Sequence, residues 1–107
     1  GKLRLHQSPT AAEIKHYRWW LEKELDCVEP RLVVGLGAWA VHALAGRQIP
    51  VGRNRGPTKF GERPGYITVH PSFLLRVPDE DRPKEYKAFV ADLKRIHALA
   101  ARVGAER

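Results

Sequence analysis

The 107 residues suffice for one domain with one core and are too few for two. A hydrophobic fraction of 43% with three Trp excludes a disordered chain, and no apolar run approaches the roughly 20 residues that span a bilayer. Nineteen Lys and Arg against twelve Asp and Glu leave a net charge of +7, which favours a polyanionic partner, nucleic acid ahead of a membrane surface. The start shows no charged stub followed by an apolar signal core, so the expectation is a soluble, cytoplasmic protein. Cys27 is the lone cysteine; it forms no internal disulfide, cannot build a thiolate metal site alone, and is expected to pack as a small core residue.

Gly1 to Pro9 are basic, lack a helical period and begin abruptly, as in a chain cut from a longer one. Thr10 with Glu13 three residues on fits a capping box, and Ile14, Tyr17, Leu21, Leu25 and Val28 follow at helical spacing until Glu29-Pro30 closes the helix. Leu32 to Leu36 is a short apolar run suited to a strand buried on both faces. Gly37 then supplies a tight turn into a helix over Ala38 to Ala45, stopped by Gly46.

From Arg47 to Gly65, four Gly and three Pro indicate an exposed loop with one short strand near Thr58 to Phe60; five basic residues against Glu62 give it a local charge of +4. Tyr66 to Val69 reads as a second core strand ending in His70-Pro71-Ser72. Asp79-Glu80-Asp81 before Pro83 suits a helix start, and Tyr86, Phe89, Val90, Leu93, Ile96, Leu99, Ala100 and Val103 form the apolar stripe that follows. The alternation predicts an α/β fold, a parallel sheet with flanking helices. Two core strands are few, so short loop strands complete the sheet or the others lie in a segment absent from this chain.

Ligands of open α/β sheets bind beyond the carboxyl ends of the strands, which here carry Gly35-Leu36-Gly37 and His70-Pro71-Ser72. The glycine pair lacks the third Gly and the Lys-Ser/Thr pair of a phosphate cradle and is explained by tight packing. His70-Pro71-Ser72 reads equally as a site and as a strand-ending turn with a solvated His and a helix-capping Ser. Phe73-Leu74-Leu75-Arg76 joins apolar bulk to a cation, as proteins that wedge open a base stack require; the alternative packs the leucines under the loop. Lys2, Arg4, Arg47, Arg53, Arg55, Lys59 and Arg63 would contact phosphates or form a solvated basic surface.

Together these features resemble the uracil-DNA glycosylase superfamily, specifically the family-4 enzymes and the related UdgX proteins. The resemblance runs through Thr10 to Leu21, Glu29 to Ala38 with Ala43-Leu44, Arg55-Gly56, and most specifically His70-Pro71-Ser72-Phe73-Leu74-Leu75-Arg76. It implies the three-layer α/β/α fold of that superfamily, here incomplete and spanning residues 1–107 as its carboxy-terminal half. It also implies cleavage of the N-glycosidic bond of a flipped-out uracil in base-excision repair, on the bacterial nucleoid.

His70 would donate a hydrogen bond to the departing base. Leu74, Leu75 and Arg76 would hold the vacated place in the duplex, and Ser72 would bind a phosphate. Lys2-Leu3-Arg4-Leu5-His6 is similar to the Lys-Arg-Arg-Ile-His loop of UdgX proteins and would make His6 the nucleophile that traps the protein on the sugar; Leu3 departs from it. The iron-sulfur cluster of the family is not expected, because Tyr17 stands at a ligand Cys position and Cys27 lies ten residues later. An amino-terminal half carrying a first strand, a water-positioning Gly-rich segment and a uracil-stacking aromatic would be the missing partner. The rival reading is a non-catalytic α/β module that binds nucleic acid through its basic loops alone.

Overall fold

In the computed structural model, which describes residues 10–105, the first helix forms where the capping signal places it. The Thr10 hydroxyl accepts from the Glu13 amide at 3.1 Å and the Thr10 amide donates to the Glu13 carboxylate at 3.2 Å, satisfying two backbone N–H groups at the start of α1 (Ala11–Val28). The helix ends at Glu29, which turns left-handed at φ 49° and donates to the Leu25 carbonyl, because the residue before Pro30 is disfavoured in the α region. Helix α2 (Gly37–Ala45) follows β1 (Val33–Leu36) directly and ends at Gly46.

The sheet has three strands in the order β1-β3-β2. Parallel pairing of β1 with β3 (Arg63–Thr68) sets Val33 opposite Gly65 and Leu36 opposite Thr68. Strand β2 (Gly56–Phe60) adds on the other side, antiparallel, through the tight turn at Gly61-Glu62. The expected parallel pair is therefore extended by one antiparallel strand, and the short strand expected at Thr58 to Phe60 is that strand. The loop expected to run to Gly65 ends earlier, at Arg63, and Val69 lies outside the strand. Pro64 is tolerated in a central strand because pairing with β1 begins only at Gly65. Gly65 has a packing reason: a Cβ there would sit 2.6 Å from the Phe60 ring and 3.0 Å from the Val33 carbonyl.

Alternation along β3 builds three layers. Ile67 joins Val41, Leu44 and Phe60 in the core, with Leu21 and Leu25 of α1 and Val33 of β1 packed against it. Tyr66 and Thr68 are buried and reach α5 (Arg82–Ala105). This is the α/β/α arrangement expected, with a small mixed sheet.

Two short helices lie between the main elements: α3 (Val51–Asn54), inside the expected loop, and α4 (Phe73–Arg76). The long helices outrun the layers beneath them. At about 1.5 Å per residue the 18-residue α1 is twice the length of the nine-residue α2. The far end of α1 is uncovered, and Cys27 there is exposed, correcting its expected place in the core. Tyr17 and Val28 of the α1 stripe are likewise exposed. On α5, Phe89, Val90, Ile96, Leu99 and Val103 of the predicted stripe are partly buried, whereas Tyr86, Leu93 and Ala100, seven residues apart and so on one side of the helix, turn to solvent.

Candidate functional site

Parallel pairing carries the ends of β1 and β3 to the same edge of the sheet, where Gly37 meets His70. Gly37 adopts φ 87°, and a Cβ there would lie 3.0 Å from the His70 Cβ and 3.6 Å from its backbone nitrogen. The turn that starts α2 is thus also the surface on which His70 rests. Beyond it opens a cavity of about 1150 Å³ whose wall includes Tyr17, Trp39, Arg55, His70, Ser72 and Arg76. Glu13 and Glu85 also line it, so its charge is near balance and attraction for an anion is local to Arg55 and Arg76.

His70 is exposed, and its ring is held by the turn that follows it. The Ser72 amide donates to Nδ1 at 3.1 Å, with the Ser72 hydroxyl 3.0 Å from the same nitrogen. A nitrogen that accepts from an amide carries no proton, so the neutral ring keeps its proton on Nε2. That N–H has no protein acceptor among the described residues. Ser72 starts α4 without capping it, so the reading of a mere capping serine does not describe its side chain.

The one-turn helix α4 presents its residues unequally. Leu75 is 79% exposed, Leu74 and Phe73 are partly buried, and Arg76 is exposed. One leucine packs down and the next stands out, which joins the two alternatives raised for this segment. The Arg82 guanidinium braces the turn from the start of α5, donating to the Leu74 carbonyl at 2.8 Å, the Val77 carbonyl at 3.1 Å and the Asp79 carboxylate at 2.6 Å.

Of the other residues singled out in sequence, Arg53 is exposed on α3, and Arg55 is largely buried and ion-paired to Asp92. Lys2, Arg4 and His6 lie outside the described residues.

Asp92 was not anticipated. It is 2% exposed and accepts from the Tyr66 hydroxyl at 2.8 Å, the Thr68 hydroxyl at 2.6 Å, Arg55 Nε and, at 3.4 Å, Arg95. Burial pushes its carboxyl up, but the hydrogen bonds from Thr68, Arg55 and Tyr66 outweigh burial and hold it below the ordinary carboxylate value. Tyr66 moves up, through burial and its bond to Asp92. A sequence signal existed: Asp92 is three residues after Phe89 and four before Ile96, an acid between two apolar positions of one helix face.

The residues present do not fit an iron-sulfur cluster. Such clusters are held by several thiolates, and the chain has Cys27 alone, exposed, with Tyr17 at the cavity wall.

The sequence model of the uracil DNA glycosylase superfamily matches residues 2–94, and none of the curated proteins matches the chain. The matched span takes in the capped helix α1, all three strands, His70, the α4 turn and Asp92, and the chain belongs to the uracil DNA glycosylase superfamily.

Proposed function

We propose that the protein recognises uracil flipped out of DNA and cleaves its N-glycosidic bond, with His70 as the electrophilic donor, in base-excision repair in the cytoplasm. The observation that carries this reading is the placement of His70 at the cavity with its Nδ1 3.1 Å from the Ser72 amide, a contact that in the neutral ring leaves Nε2–H as the donor. As the bond between the sugar C1′ and uracil N1 breaks, its electron pair departs with the base and negative charge grows on a uracil carbonyl oxygen. A prealigned N–H stabilises that charge where it develops. A neutral donor suffices, and no proton need transfer.

The sugar is left as an oxocarbenium-like centre. Two acceptors of that centre distinguish the forms of this activity: water, giving an abasic strand, or an imidazole nitrogen of His6, giving a covalent bond to C1′. Leu75 suits the wedge that occupies the vacated stack, with Leu74 beneath it and Arg76 towards phosphate. The Ser72 amide alone can hold His70, which leaves the Ser72 hydroxyl free to turn to a phosphate. Lys2, Arg4, Arg53 and Arg55 supply further backbone contacts.

We further propose that an additional segment, the amino-terminal half of the domain, completes the site. Support comes from β1, which is paired on one side only among the described residues, and from a cavity above the roughly 300–1,000 Å³ of common small-ligand sites.

Incubating the protein, with that half supplied, with a uracil-containing single strand tests the proposal. A denaturant-resistant adduct lost in His6→Ala marks the covalent binder; free uracil with an abasic strand marks the turnover enzyme. Equal affinity for uracil- and thymine-containing strands, indifferent to His70→Ala and with no product, would leave only a basic module that binds nucleic acid.

A further inference from the structure

Asp92 joins the two walls of the His70 cavity from behind. One of its oxygens accepts from Thr68, two residues before His70 on β3, and from Arg55, which lines the cavity. Its other oxygen accepts from Tyr66 and, at longer range, from Arg95. Four donors therefore converge on one carboxylate, and two of them are guanidinium groups.

A guanidinium usually meets a carboxylate with two parallel N–H bonds. Here Arg55 is held through Nε alone, on the oxygen that also accepts from Thr68. Its Nη2 is buried and has no acceptor among the described residues. Burying a charged donor without an acceptor is costly, and such a group calls for an explanation. Arg95 is 66% exposed at its side chain and keeps its hydration, whereas the Arg55 side chain is 22% exposed. The unfilled demand for an acceptor therefore sits on Arg55, at the cavity.

We propose that Asp92 is a positioning residue that sets the Arg55 guanidinium at the cavity wall as a contact for a DNA backbone phosphate. The proposal rests on the uracil-DNA reading of the His70 site and adds to it a residue that touches neither base nor sugar. Asp92 takes one nitrogen of the fork and the phosphate takes another. The same carboxylate, through Thr68, ties the strand that ends at His70 to this contact, so base and backbone are registered against one buried group.

The test measures affinity of the protein for a uracil-containing single strand and its thymine counterpart over a fourfold range of salt. Each phosphate contact adds about 0.7 to the slope of log affinity against log salt for single strands. Arg55→Gln is expected to flatten the slope by about that amount, a loss across the range smaller by about 2.6-fold, on both strands alike. Asp92→Asn should flatten it equally and add nothing in the Arg55→Gln background. Arg55→Lys keeps the charge and three donors without the planar fork, so it should hold most of the slope while losing affinity, which marks the Gln effect as a charge lost at that place whether or not Asp92→Asn folds. Tyr66→Phe, which removes a donor from Asp92 without touching Arg55, should lower the Tm and leave the slope alone.

An unchanged slope in Arg55→Gln overturns the proposal, as does a slope flattened as far by Lys as by Gln, an Asp92→Asn effect additive with Arg55→Gln, or a loss confined to the uracil strand. Equal affinity for the two strands with the slope changes retained would instead count against the uracil reading and leave the phosphate contact standing.

Discussion

Thr68→Val isolates one bond in the buried network behind His70. Thr68 is fully buried, and valine matches its shape while removing only the hydroxyl that donates to Asp92 at 2.6 Å. A hydrogen bond to a charged group contributes about 1.5–3 kcal/mol. With unfolding entropy of about 2.1 cal/mol/K per residue, 107 residues give roughly 0.22 kcal/mol/K, so the Tm should fall by about 7–13 °C at pH 7. The loss should depend on pH with a definite sign. The Asp92 carboxyl lies below its ordinary value in the folded protein, so its contribution is complete above the unfolded carboxylate range and fades as pH drops through the folded value. Removing the Thr68 donor raises that folded value, and the mutant should lose stability at higher pH than the parent. Below both values the bond joins neutral groups, and the gap should shrink to about 0.5–1.5 kcal/mol. Thermal unfolding followed by circular dichroism from pH 7 down to pH 2 reads both effects. A gap under about 0.5 kcal/mol at pH 7, or one that does not change with pH, would refute the assignment of Thr68 as a donor to a buried carboxylate.

Other perturbations separate the site from the scaffold. Gly37→Ala places a side chain at φ 87° and 3.0 Å from the His70 Cβ, so it should cost about 1–2 kcal/mol in conformation and lower uracil release by more than its Tm change explains. Gly65→Ala drives a methyl into Phe60 and should cost about 1–3 kcal/mol in denaturant unfolding, with no effect on His70 chemistry in the fraction that stays folded. Leu75→Ala removes the exposed side chain proposed as the wedge and should slow cleavage of duplex uracil at least about tenfold, since unstacking costs a few kcal/mol per step, with single-strand cleavage little changed. Arg82→Ala frees the turn that carries Leu75 and should show the same duplex-specific loss in paired single-turnover assays.

The features legible in sequence are those set by neighbours along the chain. The Thr10–Glu13 box, the Glu29-Pro30 stop and the Gly37 turn each depend on a few adjacent residues and appear where expected, while the strand before His70 ends one residue early, at Thr68. The β2–β3 hairpin was hidden because Pro57, Pro64 and the interspersed cations look like loop; they are accommodated at an edge strand and before the start of pairing with β1. Periodicity drew the α5 stripe too wide, since Tyr86, Leu93 and Ala100 lie on one edge of it that turns to solvent, and it said nothing of Cys27 at the far end of α1. Asp92 depends on partners 24, 26 and 37 residues away, and only its place on an apolar helix face hinted at them. The tautomer of His70 is set by the geometry of the Ser72 amide, which no residue pattern encodes.

The most direct test of the central claim is the single-turnover rate of uracil release from a uracil-containing strand by the parent protein and by His70→Ala, each supplied with the amino-terminal half. Loss of one prealigned donor to the leaving base predicts a fall of about 100- to 1000-fold with the fold intact. A His70→Ala protein that is folded and releases uracil at the parent rate would contradict the account.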